Sequence, residues 1–129
     1  MEDEGLDVIG EYINAFNEAV SSNLPLGNIY ISHGFSVHIK KRHPNCIHYV
    51  ERIPEIIENP DYIGRNPSEP DSIELIKTFD QNIQIAIKLD KKSNYLYVAS
   101  LYEVKEGKIH RRLMSGRLKA YVEKMKEEA

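Results

Sequence analysis

The second half of this sequence holds a strict alternation of apolar residues, and this feature constrains the fold more than any other. Ile83, Ile85, Ile87 and Leu89 occupy every second position, so on a β-strand they share one face. Strand patterns also occupy residues 73–79 and 95–104. The intervening segments have the length of hairpin loops. The sequence therefore predicts three consecutive strands that pair antiparallel.

The first half of the chain shows helical spacing instead. Apolar residues recur at three- and four-residue steps and predict an N-terminal helix within residues 1–22; they are Leu6, Ile9, Ile13, Phe16 and Val20. A short helix capped by Ser36 would end before Pro44, because the residue before a proline is pushed out of the α region. A further helix would begin after Asn45 and break near Pro54.

Helices followed by a run of strands indicate an α+β fold. Residues 28–32 fit either a strand or the entry to a helix. The pattern at the end of the chain predicts a C-terminal helical tail over residues 119–129. With 129 residues and 41% hydrophobic content, residues 1–129 are expected to form a single domain.

Three features of the sequence bear on its location. Cys46 is the single cysteine, so an intramolecular disulfide is ruled out. No run of about eighteen apolar residues is present to cross a membrane. The acidic start of the chain, Met1-Glu2-Asp3-Glu4, is unlike a secretory leader. A cytoplasmic protein without membrane contact is therefore expected.

The densest cluster of reactive side chains is His38-Ile39-Lys40-Lys41-Arg42-His43-Pro44. Imidazoles move protons near neutral pH, and fixed cations bind phosphate. Although the net charge is −3, residues 105–119 form a second basic segment. If the two segments meet in space they would form an anion site. Solvated charged faces are the alternative.

His43 and His38 are the candidate proton-transfer residues. Nearby cations favour the neutral, proton-accepting form of an imidazole. On a continuous helix, histidines five residues apart lie about 140° apart, so a two-histidine metal site is not expected. No metal-ligand pattern is completed, and neither a metal nor a cofactor is predicted. A capping or core role is the alternative for each histidine.

Ser100 and Tyr102 interrupt an apolar strand, and their spacing of two puts both hydroxyls on one face. A hydroxyl pair there could bind phosphate or orient a ribose. Arg111, Arg112 and Arg117 flank a small turn, and arginine suits bidentate contact with phosphate. Ordinary hydrogen bonds and surface charge are the alternatives. Histidine, cations and hydroxyls together fit metal-independent RNA cleavage, in which the 2′-oxygen attacks the adjacent phosphorus.

Three blocks of the sequence occur in a specific order: residues 38–44, then IPEIIENPDYIG at 53–64, then YLYVASLY at 95–102. Together they resemble the phage and mobile-element branch of the barnase–EndoU–colicin–RelE-like nucleases over residues 28–118. The resemblance implies N-terminal helices packed on a curved antiparallel β-sheet of about four strands. In active members it also implies metal-independent endoribonuclease activity.

By position, the resemblance implies that His43 is the leading catalytic residue, with His38, Ser100 and Tyr102 assisting. The residues expected to bind phosphate or RNA are Lys40, Lys41, Arg42, Arg111, Arg112 and Arg117. The predicted function is a small endoribonuclease of toxin or phage-conflict type. Its substrate would be RNA, with tRNA as one candidate, and its partner an inhibitor or antitoxin protein.

Two readings from other classes stay open at this point. A non-catalytic RNA- or protein-binding module would keep the nuclease fold and the basic groove. An anion-binding interaction domain would instead use its acidic first helix to dock a partner. The sequence gives no oligomeric state.

Overall fold

The structure, a computed structural model, describes residues 5–121. Within these residues the strands are β1 (Leu6–Tyr12), β2 (Gly27–Ser32), β3 (Tyr62–Gly64), β4 (Ser72–Thr78), β5 (Asn82–Asp90), β6 (Tyr95–Glu103) and β7 (Leu118–Ala120). The helices are α1 (Asn14–Val20), α2 (Phe35–Arg42), α3 (Ile53–Glu58) and α4 (Glu106–Ser115), and a 3-10 helix spans Pro44–Arg52. No helix in this part of the chain is long and apolar enough to span a membrane.

One sheet contains all of these strands, in the order β1-β2-β6-β5-β4-β3-β7. The three strands predicted for residues 73–104 are confirmed as β4, β5 and β6, which pair antiparallel through short hairpins. The α+β class is also confirmed. The expected size of about four strands is wrong, because the described residues form seven. Two of the additional strands, β3 and β7, have only three residues each, too few to show a clear alternation.

The helix predicted within residues 1–22 is wrong over residues 6–12, which form β1 and pair with β2. A bulge between Val8 and Gly10 breaks the two-residue alternation of β1, so its apolar residues have a spacing that mimics a helix. Gly10 lies where α3 packs against β1. A Cβ there would lie 2.8 Å from Ile57 Cδ1, so the glycine allows α3 to pack closely on β1.

The prediction of a C-terminal helical tail over residues 119–129 is wrong for residues 119 and 120, which lie in a strand. Residues 118–120 form β7, which pairs antiparallel with β3, and residues 122–129 lie outside the described part of the chain. Gly64 makes this pairing possible, because a Cβ there would lie 2.5 Å from the Arg117 carbonyl oxygen. The close approach of β7 to β3 fixes the position of Arg117.

Proline explains how α2 ends. The backbone of His43 has φ −140° and ψ 63°, outside the α region, as expected for a residue before proline. The start of α2 differs from the prediction, since Gly34 rather than Ser36 precedes its first turn. The predicted break near Pro54 is confirmed by the change from the 3-10 helix to α3 at Ile53.

The two faces of the sheet have different environments. One face carries the buried residues Ile73, Leu75, Ile85 and Ile87, which belong to the main core together with residues of α1, α2 and α3. The opposite face carries polar side chains from β4, β5 and β6. The helix α4 covers one end of this polar face, where Ile109 packs in a smaller apolar cluster. The face opposite the main core carries Glu74, Gln84 and Tyr102, and we call it the polar face.

Strand β2 runs parallel to β6 but pairs with it only at Ile29↔Leu96 and Tyr30↔Tyr97. The second half of β6 thus has no β-partner on that side within the described residues. The segment that follows β2, consisting of α2 and the 3-10 helix, occupies this space, and the 3-10 helix contacts β6. This arrangement brings the end of α2 to the end of β6.

Candidate catalytic site

A bulge in β6 puts aromatic and hydroxyl side chains on one face. Ser100 lies opposite Ala86 on β5, whereas Val98 lies opposite Ile87, so Ala99 is the extra residue. The bulge changes the phase of the alternation. Consequently Tyr97 and Tyr102, which are an odd number of residues apart, both lie across from the polar face of β5.

His43 and Tyr102 meet at the edge of the polar face. Their rings stack with centroids 5.8 Å apart and an interplanar angle of 26°, and both side chains are half-buried. The residues are far apart in sequence: His43 directly follows α2, and Tyr102 lies in β6. The arrangement places an imidazole and a phenol within reach of one substrate group.

Gln84 fixes the orientation of the Tyr102 hydroxyl. Its Oε1 accepts a hydrogen bond of 2.8 Å from Arg112 Nη1, and its Nε2 donates one of 2.9 Å to Tyr102 Oη. The guanidinium can only donate, so the amide of Gln84 has one orientation. Because Tyr102 Oη accepts from Gln84, the phenolic proton is directed elsewhere. The Tyr102 hydroxyl can therefore donate its proton to a group other than Gln84.

Glu74 on β4 holds the two arginines that flank the end of α4. Its Oε2 accepts a hydrogen bond of 2.7 Å from Arg117 Nη2, and its Oε1 lies 3.4 Å from Arg117 Nε. Arg112 Nη1 lies 3.9 Å from the same carboxylate. The side chains of Glu74 and Arg112 are 7% and 10% exposed, against 25% for Arg117. Arg117 is thus the guanidinium that solvent or a ligand can reach.

The 3-10 helix that follows His43 is anchored to the β4–β5 hairpin. The Tyr49 hydroxyl donates a hydrogen bond to the Asp80 carboxylate. This bond raises the pKa of Tyr49 to about 12 and lowers the pKa of Asp80. Tyr49 also stacks on Phe79, with ring centroids 5.4 Å apart. These contacts hold the segment that carries His43 against the sheet.

The other predicted site residues occupy three different places. Ser100 lies on the polar face two residues before Tyr102, as its spacing predicts. His38 is exposed on α2 and lines a separate cleft together with Tyr97, so the structure does not bring it to His43. The exposed cations Lys40, Lys41 and Arg42 surround the end of α2, and Arg111 is exposed on α4.

A second group of cations adjoins the network. Arg117 lines a cleft of about 620 Å³ with Arg65 and Lys119, and no carboxylate among the described residues lines it. Arg65 is held in place by hydrogen bonds from Nη1 to the carbonyl oxygens of Val20 and Ser21. The cleft extends the positive surface beyond Arg117. The described residues contain no group of three or more His, Cys, Asp or Glu side chains that could hold a metal ion.

Sequence reasoning missed Glu74 and Gln84, which connect the arginines to Tyr102. A signal was present, since each is a polar residue within an apolar strand pattern: Ile73-Glu74-Leu75 and Ile83-Gln84-Ile85. Such positions need hydrogen-bond partners if they are buried. The identity of those partners depends on the strand register and on the position of α4.

Comparison with known proteins gives one family. The family model described as phage-Barnase-EndoU-ColicinE5/D-RelE like nuclease3 matches residues 7–111. The match includes β1 and α1 as well as His43, Glu74 and Tyr102, and it ends before Arg112 and Arg117. No curated protein and no solved structure matches the chain.

Proposed function

The chain belongs to this phage-Barnase-EndoU-ColicinE5/D-RelE like nuclease family, and on that premise we propose that it is a small endoribonuclease of toxin or phage-conflict type. It cleaves RNA, with tRNA as one candidate substrate, by attack of a 2′-hydroxyl and without a metal ion. An inhibitor or antitoxin protein is its proposed partner. The observation that carries the proposal is the stacked pair of His43 and Tyr102 beside the buried arginine network.

The proposed reaction uses the groups that the polar face exposes. His43 accepts the proton of the 2′-hydroxyl, and the 2′-oxygen attacks the adjacent phosphorus. Tyr102 donates its proton to the departing 5′-oxygen, because Gln84 leaves that proton available. The P–O5′ bond breaks, and the products carry a 2′,3′-cyclic phosphate and a 5′-hydroxyl. The hydroxyl of Ser100 lies on the same face and orients the ribose.

Arg117 stabilises the charge that develops on the phosphorane. Its Nε and Nη2 are directed at Glu74, and Nη1 is the remaining donor group for a phosphate oxygen. Glu74, Arg112 and Gln84 are positioning residues, since they are buried and act by holding Arg117 and Tyr102. The exposed cations of α2 and Arg111 attract the RNA backbone.

A second candidate is a binding module that keeps the nuclease fold and binds RNA or protein without cleaving it. The burial of Glu74 favours this reading, because the carboxylate nearest to the cations is paired with arginines and is not exposed to a substrate. The two candidates differ in whether His43 is required for a chemical step.

The deciding experiment incubates the purified protein with total RNA and with tRNA in EDTA and analyses the fragment ends. We expect fragments with 2′,3′-cyclic phosphate ends, and a loss of at least about 100-fold in rate for His43→Ala. His33→Ala is the matched control, since His33 is 60% exposed and contacts Asp7. Intact RNA with the wild-type protein, or equal rates for the two variants, would favour the binding module.

A further inference from the structure

A second cleft opens on the polar face where β2 and β6 separate. It has a volume of about 400 Å³, and its lining includes Phe35, His38, Tyr95 and Tyr97. The volume falls within the usual range for small-molecule sites. The cleft exists because β2 turns away after two paired residues and α2 begins at Phe35.

Three tyrosines form a row, and two of them, Tyr95 and Tyr97, line this cleft. The rings of Tyr30 and Tyr95 meet edge to face with centroids 5.7 Å apart, and those of Tyr95 and Tyr97 lie 6.0 Å apart. All three side chains are half-buried, so part of each ring remains open. Burial also raises the pKa of Tyr95 above its ordinary value. Such a row is a surface on which planar aromatic groups stack.

The tyrosine row and the candidate catalytic site share one continuous surface. Tyr97 and Tyr102 lie on the same face of β6 because of the bulge at Ala99, at a separation of about 15 Å along the strand. Lys88 lies across from Tyr97 on β5. This lysine forms an exposed ion pair with Glu69 at the rim of the sheet.

The aromatic rings and their continuity with the proposed phosphate-binding site together indicate the chemistry of the occupant. Sequence-tolerant binding of single-stranded nucleic acid combines stacked bases with a positively charged path for the backbone. The alternative, an apolar peptide, would place apolar groups against the polar side chains Ser32 and His38 that line the cleft. A nucleobase can stack on the rings and form hydrogen bonds with the polar rim of the cleft.

We propose that the cleft at Tyr95, Tyr97 and His38 is a nucleobase-binding subsite that holds an unpaired base of single-stranded RNA, some nucleotides away from the cleaved bond. The proposal rests on the proposed function for the identity of its natural ligand. Tyr97 provides the stacking surface, and His38 lies at the rim of the cleft. The substrate of the enzyme is therefore single-stranded RNA that spans several nucleotides, and a dinucleotide would not fill the site.

The test measures binding without cleavage, so that it is independent of the catalytic mechanism. The probe is a short fluorescent oligodeoxynucleotide, which lacks the attacking 2′-hydroxyl, and anisotropy reports its binding to the full-length protein. We expect Tyr97→Leu to weaken binding at least about tenfold. Tyr97→Phe keeps the ring and should bind within about twofold of wild type. Met114→Ala is the control, since Met114 is 77% exposed on α4.

A second probe separates stacking from phosphate contact. An abasic oligomer of the same length keeps the phosphates and lacks the bases. Wild type should prefer the normal oligomer at least about tenfold, and Tyr97→Leu should lose this preference. Equal binding of both probes by the wild type, or no binding of either, would overturn the subsite, as would an unchanged affinity in Tyr97→Leu.

The outcome also distinguishes this inference from the proposed function. If the wild type cleaves RNA but Tyr97→Leu binds each probe with the same affinity as the wild type, the proposed subsite is wrong and the nuclease assignment stands. If the wild type cleaves no RNA but Tyr97→Leu loses the base preference, cleavage is wrong and the subsite stands. With cleavage present, Tyr97→Leu should raise KM for a long RNA and leave kcat unchanged.

Discussion

The imidazole of His43 stacks on the phenol ring of Tyr102, with ring centroids 5.8 Å apart. The first residue ends α2 and the second lies near the end of β6. Their contact exists because β2 leaves β6 after two paired residues and the following helix returns along the open strand edge.

Replacing Tyr102 by phenylalanine separates its ring from its hydroxyl. Tyr102→Phe should keep the stacking on His43 and lower the cleavage rate at least about tenfold, because the proton donor is lost. The cost in stability should be about 1 kcal/mol, from the hydrogen bond with Gln84. Rates on a defined RNA and urea unfolding measure both effects. A cleavage rate equal to wild type would contradict a donor role for Tyr102.

Removing the Glu74 carboxylate should strongly destabilise the protein. Glu74→Ala leaves the guanidinium of Arg112 buried without its charge partner, and loss of one partner of a buried ion pair costs about 3–5 kcal/mol. Glu69→Ala breaks the exposed pair with Lys88 and should cost at most about 1 kcal/mol. Urea unfolding of the two variants makes the comparison. Equal losses would show that the network contributes no more than a surface pair.

Adding one methyl group at Gly64 should displace β7. In Gly64→Ala the new Cβ would meet the Arg117 carbonyl oxygen at 2.5 Å and Leu118 Cδ1 at 2.9 Å, and backbone must move to relieve the first contact. We expect a lower unfolding temperature and a weaker phosphate contact by Arg117, seen as slower cleavage. Gly107→Ala is the matched control, because its Cβ meets only Arg111 Nη1 at 3.7 Å. Similar behaviour of both variants would contradict this account of β7.

Alkaline pH should destabilise the protein through Tyr12. Burial raises the pKa of Tyr12 to about 12, above its ordinary value of 10.0. Between these values the unfolded chain releases the phenolic proton and the folded chain keeps it, so stability falls as the pH rises from about 10 to 12. Tyr12→Phe should make this fall less steep, as measured by urea unfolding at several pH values. The same slope in both proteins would contradict the role of Tyr12.

The exposed cations of α2 should act on binding of RNA rather than on the chemical step. In the double variant Lys40→Gln and Lys41→Gln, two cations near His43 are removed, and KM should rise with a reduced dependence on salt. The value of kcat should stay within about twofold, because neither lysine contacts the network in the described structure. Steady-state kinetics at two salt concentrations measure this, and a loss confined to kcat would contradict it.

The central strands and the types of residue that the site uses can be predicted from the amino-acid sequence. The alternation from Ile83 to Leu89 required a strand with one buried face, and Pro44 required α2 to end at His43. The spacing of Ser100 and Tyr102 required one shared face. These are local consequences of backbone geometry, so they can be read without knowing the rest of the fold.

The contacts between residues distant in sequence depend on the packing of the folded chain. The parallel pairing of β2 with β6 and the bulge at Ala99 bring His43 to Tyr102 and separate it from His38. The burial of Glu74 and Gln84 and their hydrogen bonds to Arg117 and Arg112 depend on where α4 and β7 dock. Strand order and register arise from packing of the whole chain, and no local spacing in the sequence encodes them.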